Sequence, residues 1–310
     1  MELSLLLIQQ IGSMFIMMLL GVILVKLKVL KSEHGTVISK ILLYIVVPCS
    51  IIKSFEIDFT VEKLQGLGLS VLGALTVNVV FMIFERILRR PLKLSPVEGA
   101  SVIYSNAGNL VIPLVYACLG TEWVFYTSGY LLIEQILLWT HGKNMVSGEH
   151  DLSFRKIITN VNILAILAGV IIFFTGFKPP VVVQSAIDSM TNLLAPMSMI
   201  LTGMLLGSMK FIEILKKKRA YMITAIRLVL FPLIMISLIA LCGVTRIHPD
   251  AADIFLVTSL TCSSAVATTI TQFAQLYNKE PEYSSVISIM SVLFCIITIP
   301  LMVGYYQWII

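Results

Sequence analysis

The sequence predicts an all-α polytopic membrane protein with ten transmembrane helices in two inverted five-helix repeats. Three observations support this fold class: the composition, the succession of apolar segments, and a match between the two halves of the chain. Of the 310 residues, 58% are apolar and 13% are charged, and the mean hydropathy is +0.96. Soluble domains carry about 25% charged residues. The chain is therefore too apolar for a soluble protein of this length.

Ten apolar segments have about the length that crosses a bilayer as a helix, roughly 20 residues. They are residues 4–25, 36–53, 67–85, 97–119, 122–141, 157–176, 184–208, 220–242, 250–277 and 283–307. The first segment follows an acidic residue, Glu2, instead of the basic flank of a secretory signal, so we predict a retained span. We divide the chain into a first repeat at 1–142, a cytoplasmic connecting loop at 143–156 and a second repeat at 157–310.

The basic residues indicate the orientation of these spans. Of the 22 Lys and Arg residues, 16 lie in loops 1–2, 3–4, 5–6, 7–8 and 9–10, and four lie in the opposite loops. Cytoplasmic loops carry the excess of basic residues. We therefore predict an integral plasma (inner) membrane protein with both termini outside the cytoplasm. The net charge of +5 comes from these separate loops, so no nucleic-acid partner is predicted.

The two halves of the chain match each other at one fixed offset. A shift of 148 residues places LLGVIL (19–24) on LAGVII (167–172), and IVVPCSII (45–52) on LLAPMSMI (193–200). Gly21 then aligns with Gly169, and Pro48 aligns with Pro196. A unit of five spans ends on the opposite side of the membrane, so its second copy must be inverted. Inverted repeats are typical of secondary transporters, whose substrate site lies where discontinuous helices of the two halves meet.

Span four contains residues that are unfavourable in a helix, in the stretch YSNAGNLVIPLV (104–115). Relative to Ala, Gly costs about 1 kcal/mol and Pro about 3 kcal/mol in a helix interior. Pro113 also frees the carbonyl of Asn109. Unpaired backbone is tolerated at membrane depth only where it faces protein or a wet cavity. We therefore predict an inward-facing break, with Asn106, Gly108, Asn109 and Pro113 at a substrate site.

Span nine is the predicted counterpart in the second half, because its centre is rich in hydroxyl and amide side chains. The candidate binding residues there are Thr261, Ser263, Ser264, Thr268 and Gln272. Such a run lines a polar path or bonds to its own helix carbonyls. The alternative is a proline-kinked helix packed against a Ser/Thr-rich helix through small residues.

Two charged residues, Glu134 and Arg227, lie deep within the predicted spans. Glu134 is about 18 Å beyond Glu122 at 1.5 Å per residue, and with its neighbour Gln135 it is a candidate for substrate contact or proton coupling. The alternative role for Glu134 is a structural hydrogen bond to a broken helix. Arg227 either snorkels to the cytoplasmic interface, pairs with Glu134 or attracts an anionic substrate. Lys40 and Asp188, near span ends, are predicted to be interfacial.

Several segments together resemble the auxin efflux carrier family. They are SNAGNLVIPL (105–114), LLAPMSMILTGMLLG (193–207), RLVLFPL (227–233) and SSAVATTITQFAQLYNKEPEYSSVISIMSVLFCIITIP (263–300). The resemblance covers nearly the whole chain. It departs at Ser263, where the family usually has a proline, so the break in span nine is expected to be softer or to rest on Ser and Thr. The short central loop resembles the compact microbial members.

The resemblance implies a fold similar to bile-acid symporters and sodium/proton antiporters. In that fold, spans 1, 2, 6 and 7 form a scaffold, spans 3–5 and 8–10 form a mobile transport unit, and the broken spans 4 and 9 cross. Gly203 and Gly207 form a GxxxG pair in the scaffold. Such a pair packs helices within one chain or forms a homodimer interface, and we predict a homodimer.

These observations predict a secondary transporter that moves a small organic anion by alternating access. The resemblance implies dicarboxylates such as malate or malonate, or indole-type carboxylates, as substrates. The predicted partners are this anion, membrane lipid and a coupling ion, either proton or sodium. The alternatives are a receptor or sensor of a small carboxylate, or a channel. No enzyme is predicted, because no nucleophile with a base and no HExxH motif lies in a span, and no cofactor or metal is predicted, because the five cysteines include no CxxC pair.

Overall fold

The chain folds into helices with short connections. The computed structural model describes residues 2–148, 159–207 and 217–310. In order, the helices are α1 (Glu2–Lys26), α2 (Gly35–Ser54), α3 (Val61–Leu92), α4 (Pro96–Ile103), α5 (Ala107–Leu119), α6 (121–147), α7 (Val161–Thr175), α8 (Val181–Gly207, with a turn at Leu193), α9 (Lys218–Cys242), α10 (Ala251–Cys262), α11 (Thr268–Leu276) and α12 (Pro281–Ile309).

Five of these helices are long and apolar enough to cross a membrane: α2, α3, α8, α9 and α12. Three shorter apolar helices, α5, α7 and α10, fall below the length of a complete span, whereas α1 has 25 residues. The chain is therefore all-helical and polytopic across the described ranges, and the number of ten spans stays a prediction. The interruptions in spans four and nine explain two of the short helices.

Wide π-helical turns precede prolines in three helices. The turns are Leu42–Val46, Ala107–Val111 and Ile226–Leu230, and the prolines are Pro48, Pro113 and Pro232. A proline lacks an N–H group, and its ring collides with the carbonyl four residues earlier. A wider turn makes room for the ring while the helix continues. One such turn carries Arg227, so the proline that follows helps to set the position of this charge.

The helix ends at the connection between spans five and six differ from the sequence prediction. The predicted connecting loop at 143–156 is partly helical, because α6 continues through Lys143–Ser147 and ends at Gly148, whose φ of +76° favours glycine. The rest of that loop, 149–156, lies outside the described residues. α7 begins after Asn160, whose side chain accepts hydrogen bonds from the N–H groups of Asn162 and Ile163.

α1 and α8 approach closely through glycines. A methyl group on Gly21 would overlap the Ile200 carbonyl oxygen and lie 3.0 Å from the Cα of Gly203, and one on Gly203 would overlap the Met18 carbonyl oxygen. Gly207 lies against Val22 of α1. The GxxxG pair therefore packs two helices of one chain, which is the first of the two roles considered for it. The homodimer remains a prediction, and the GxxxG pair no longer serves as its predicted interface.

A second contact repeats this one at the internal offset. Gly169 of α7 packs against the ring of Phe55, at the end of α2. Gly169 and Phe55 stand 148 residues from Gly21 and Gly203, respectively. The α1–α8 contact and the α7–α2 contact therefore use equivalent positions of the two halves. This equivalence supports a repeated structural unit, as the sequence match predicts.

Replacement of Gly203 by Ala should destabilise the protein. The added methyl group meets a backbone carbonyl of α1, which can move only with its helix, and overpacking of this kind costs about 1–3 kcal/mol. The thermal unfolding midpoint in detergent should fall. Gly12→Ala in α1 is the matched control, because nothing lies within 4 Å of its added methyl group. Equal midpoints for the two variants would contradict the close contact.

Candidate functional site

The breaks in the two interrupted spans pair with each other. Residues 104–106 separate α4 from α5, and residues 263–267 separate α10 from α11. Ser105 and Val266 form an antiparallel β-bridge: the Asn106 N–H donates to the Ala265 carbonyl at 2.8 Å, and the Ala267 N–H donates to the Tyr104 carbonyl at 3.1 Å. Each break therefore satisfies backbone groups of the other. No proline lies within the second break, residues 263–267.

Arg227 donates hydrogen bonds at the carboxyl ends of α4 and α10, the half-helices that precede the two breaks. Its Nε donates to the Ser264 carbonyl at 3.2 Å, beyond the end of α10, and its Nη1 donates to the carbonyls of Val102 and Ile103 at 3.4 and 3.3 Å, at the end of α4. The guanidinium carbon lies 5.5 Å from the ring centre of Phe81. Helix carboxyl ends carry partial negative charge. The cation therefore neutralises two helix ends at the point where they converge.

The side chain of Arg227 is fully buried, with 0% exposed. Snorkelling to the interface, one of the roles considered from the sequence, is therefore wrong, because the freed carbonyls provide polar partners inside the protein. Ion pairs among the described residues include Lys53 with Asp188, Arg89 with Glu85 and Arg219 with Glu98. Arg227 and Glu134 do not pair directly.

Glu134 binds the first break from the other side. Its Oε1 accepts the Ser105 N–H at 2.8 Å and also accepts the Ser105 hydroxyl. The side chain is 2% exposed and lies away from the cavity described below. This contact matches the structural hydrogen bond considered as its alternative role. The adjacent Gln135 points elsewhere and accepts from Asn160 at 3.3 Å.

A large open cavity of about 1680 Å³ leads to α5 and α11, the helices that follow the two breaks. It begins at the loops that precede α2, α9 and α12, where Glu33, Lys217 and Glu280 line it. It ends at Asn109 and Thr268, in the first turns of α5 and α11. All three loops belong to the side that the basic residues identify as cytoplasmic. The cavity therefore joins the predicted cytoplasmic side to the paired breaks.

Three predicted site residues line this cavity: Asn109, Thr268 and Gln272. The Asn109 side-chain amide donates to the Thr268 hydroxyl at 3.4 Å. This bond links α5 and α11, the second half-helices, which follow the two breaks. Gly108 is partly exposed, and a methyl group added to it would meet nothing within 4 Å. Its lack of a side chain keeps space open beside Asn109.

The other predicted residues are buried in the helix contacts. Thr261 and Ser263 donate to carbonyls of their own segment, those of Val257 at 2.8 Å and Ser259 at 2.7 Å. Ser264 contributes its carbonyl to Arg227. Asn106 and Pro113 are also buried at the first break. In this conformation these residues shape the breaks, while Asn109, Thr268 and Gln272 face the open volume.

Several cavity residues were not predicted from the sequence. They are Thr36, Ser39, Lys40, Tyr44, Thr271, Gln275, Ser285 and Ser288. The residues from α2 recur every three or four positions, which places them on one helix face. That spacing was visible in the sequence, but only the tertiary structure identifies the neighbour of this face. Lys40, which was predicted to be interfacial, is also one of the residues that line the cavity.

A family model described as membrane transport protein matches residues 6–152 and 150–303. The two matches together cover most of the chain. The chain belongs to this family. It is the family of the auxin efflux carriers, so the resemblance seen in the sequence is confirmed. Its members are transporters and not enzymes, and this protein is accordingly an integral, multi-pass membrane transporter. A search of curated proteins gave no match.

Proposed function

We propose that the protein is a secondary transporter of a small organic anion. One observation carries the proposal: the cavity from the basic loops ends at the first turns of two half-helices that pair at their breaks. The amide of Asn109, the hydroxyl of Thr268 and the amide of Gln272 line this end. Such groups bind a carboxylate through hydrogen bonds. A malate-like or malonate-like dicarboxylate, or an indole-type carboxylate, suits these donors.

The helix ends favour an anion at this place. Helix amino ends carry partial positive charge and leave N–H groups unpaired. α5 and α11 both begin beside the cavity, at Ala107 and Thr268. The opposite partial charge, at the ends of α4 and α10, is already neutralised by Arg227. The positive amino ends of α5 and α11 therefore lie beside the cavity, whereas the negative carboxyl ends of α4 and α10 are bound by Arg227.

Alternating access follows if the unit that contains the breaks moves against a scaffold of α1, α2, α7 and α8. The cavity separates α2 from α11 and α12, so one wall belongs to each proposed unit. On the other side of the breaks, the Tyr116 hydroxyl of α5 donates to the Asn192 side chain of α8 at 2.9 Å. We interpret this conformation as inward-facing, with both termini outside the cytoplasm of a plasma (inner) membrane and the two repeats inverted.

Flux in proteoliposomes tests the function. Purified protein should move labelled malonate, malate or indole-3-acetate down its gradient, at turnover rates of a carrier. Imposed pH, sodium and voltage gradients identify any coupling ion. Saturable binding of a carboxylate without flux would instead support the receptor alternative, and conductance far above carrier turnover would support a channel. Protein that neither binds nor moves any of these acids would overturn the proposal.

Glu134→Gln tests the proton-coupling role separately. We propose that Glu134 positions the first break, because its contacts are the N–H and hydroxyl of Ser105. The amide oxygen of Gln can accept the same bonds but cannot release a proton. Flux and its response to an imposed pH gradient should therefore match those of the wild type. A variant that retains exchange but loses the pH response would identify Glu134 as the proton carrier.

A further inference from the structure

One helix face of the scaffold lines the cavity with a single charged side chain. Thr36, Lys40 and Tyr44 recur at four-residue spacing in α2, and all three line the cavity. The wall opposite, in α11 and α12, carries hydroxyl and amide groups such as those of Gln272 and Ser288, together with apolar side chains, and its acidic residue, Glu282, lies in the first turn of α12. Lys40 is therefore the charged side chain that lines the cavity beyond its rim.

The other charged residues of the cavity lie at its rim. Glu33 belongs to a short turn before α2, Lys217 precedes α9, Glu280 precedes α12, and Glu282 is in the first turn of α12. Lys40 instead lies five residues into α2, or about 7.5 Å along its axis at 1.5 Å per residue. Lys217 is the basic group among these rim residues, and Lys40 is the positive charge that an anion meets beyond the rim.

The Lys40 ammonium is free to bind an anion. Its side chain is exposed to the cavity, and it takes part in no ion pair with the described residues. The side chains of Gln272 and Ser288, which also line the cavity, are neutral hydrogen-bond acceptors. A charge between low-dielectric walls acts more strongly on a ligand than the same charge on an open surface.

We propose that Lys40 selects substrates by their charge. Its ammonium group binds a second carboxylate, or the entering dianion, and so favours dicarboxylates over monocarboxylates. This proposal rests on the proposed function, because it assigns the substrate class of the same cavity. Lys40 belongs to the scaffold, whereas Asn109 and Thr268 belong to the moving unit. Lys40 therefore sets affinity from the open side, and the groups at the breaks hold the anion during the movement.

Lys40→Gln tests this assignment with malonate and its monomethyl ester, which differ by one negative charge. We expect the apparent KM for malonate to rise about tenfold or more, and the apparent affinity of the monoester, measured by competition, to change less than threefold. Maximal flux should stay within a factor of two. Lys40→Arg keeps the charge and should keep the preference for malonate. Lys53→Gln, at the opposite end of α2 and outside the cavity, should resemble the wild type.

Two results would overturn the proposal. If the wild type moves no carboxylate, the proposed function fails and the role of Lys40 fails with it. If the wild type moves malonate and Lys40→Gln shifts both compounds equally or neither, the assignment of Lys40 alone fails. Thermal midpoints of all variants in detergent exclude a folding defect as the cause of the change.

Discussion

Asn109→Ala is expected to abolish carboxylate flux in proteoliposomes, with a loss of about 100-fold or more at subsaturating substrate. The side chain is at the closed end of the cavity, in the first turn of α5, and it links the two second half-helices through Thr268. Its removal takes away a donor to the anion and the bond between the moving half-helices. A site built to hydrogen-bond its substrate loses roughly 10⁴-fold when that bond is absent in the strongest cases, so 100-fold is a conservative expectation.

Asn78→Ala is the matched control for this experiment. Asn78 is buried, donates to the Ala74 carbonyl of its own helix at 2.9 Å and does not line the cavity. Its replacement should leave flux close to that of the wild type. Undiminished flux for Asn109→Ala, in protein that elutes as a folded species, would remove Asn109 from the substrate site.

Arg227→Met is expected to destabilise the fold more than other single substitutions of basic residues. The three carbonyls that accept from Arg227 would lose their buried partner, and two helix carboxyl ends would face each other without a cation. Each buried acceptor left without its donor costs about 1–3 kcal/mol, and three carbonyls are affected. We expect a large fall in the thermal midpoint in detergent, or a loss of folded protein.

Arg227→Lys keeps the positive charge but lacks the planar donors that reach two helix ends at once. Its midpoint should lie between those of the wild type and of Arg227→Met. Arg246→Met, in an exposed turn before α10, is the control and should be neutral. A midpoint for Arg227→Met equal to that of this control would show that the crossing does not depend on the buried cation.

The position of the first break illustrates the limit of sequence reasoning. Pro113 and the glycine nearby predicted an interruption around Asn106–Asn109, and a wide turn does lie at Ala107–Val111. The chain leaves the helix earlier, at Tyr104–Asn106, because these residues hydrogen-bond to the other break. A proline acts on its own helix, whereas a bridge between residues 105 and 266 is a long-range contact that local preference does not specify.

The second break had no proline to predict it. The Ser and Thr residues of span nine indicated a polar segment, and two outcomes were open: a lining for the cavity or bonds within the helix. Both outcomes occur in the structure: Thr268 faces the cavity, whereas Thr261 and Ser263 hydrogen-bond to their own segment. Side-chain chemistry is the same in each case. The direction of each side chain is decided by the neighbours of its helix.

By itself, the sequence determined that this is a helical membrane transporter of the auxin efflux carrier family, because apolar length, basic loops and local motifs are properties of a single segment. It also singled out Asn109 and the Gly203 region. Only the tertiary structure decided that Arg227 is fully buried, that Glu134 contacts Ser105 and that Lys40 lines the cavity. Each of these roles depends on a partner remote in the chain, and burial inside a membrane protein leaves a polar group only the partners that the fold supplies.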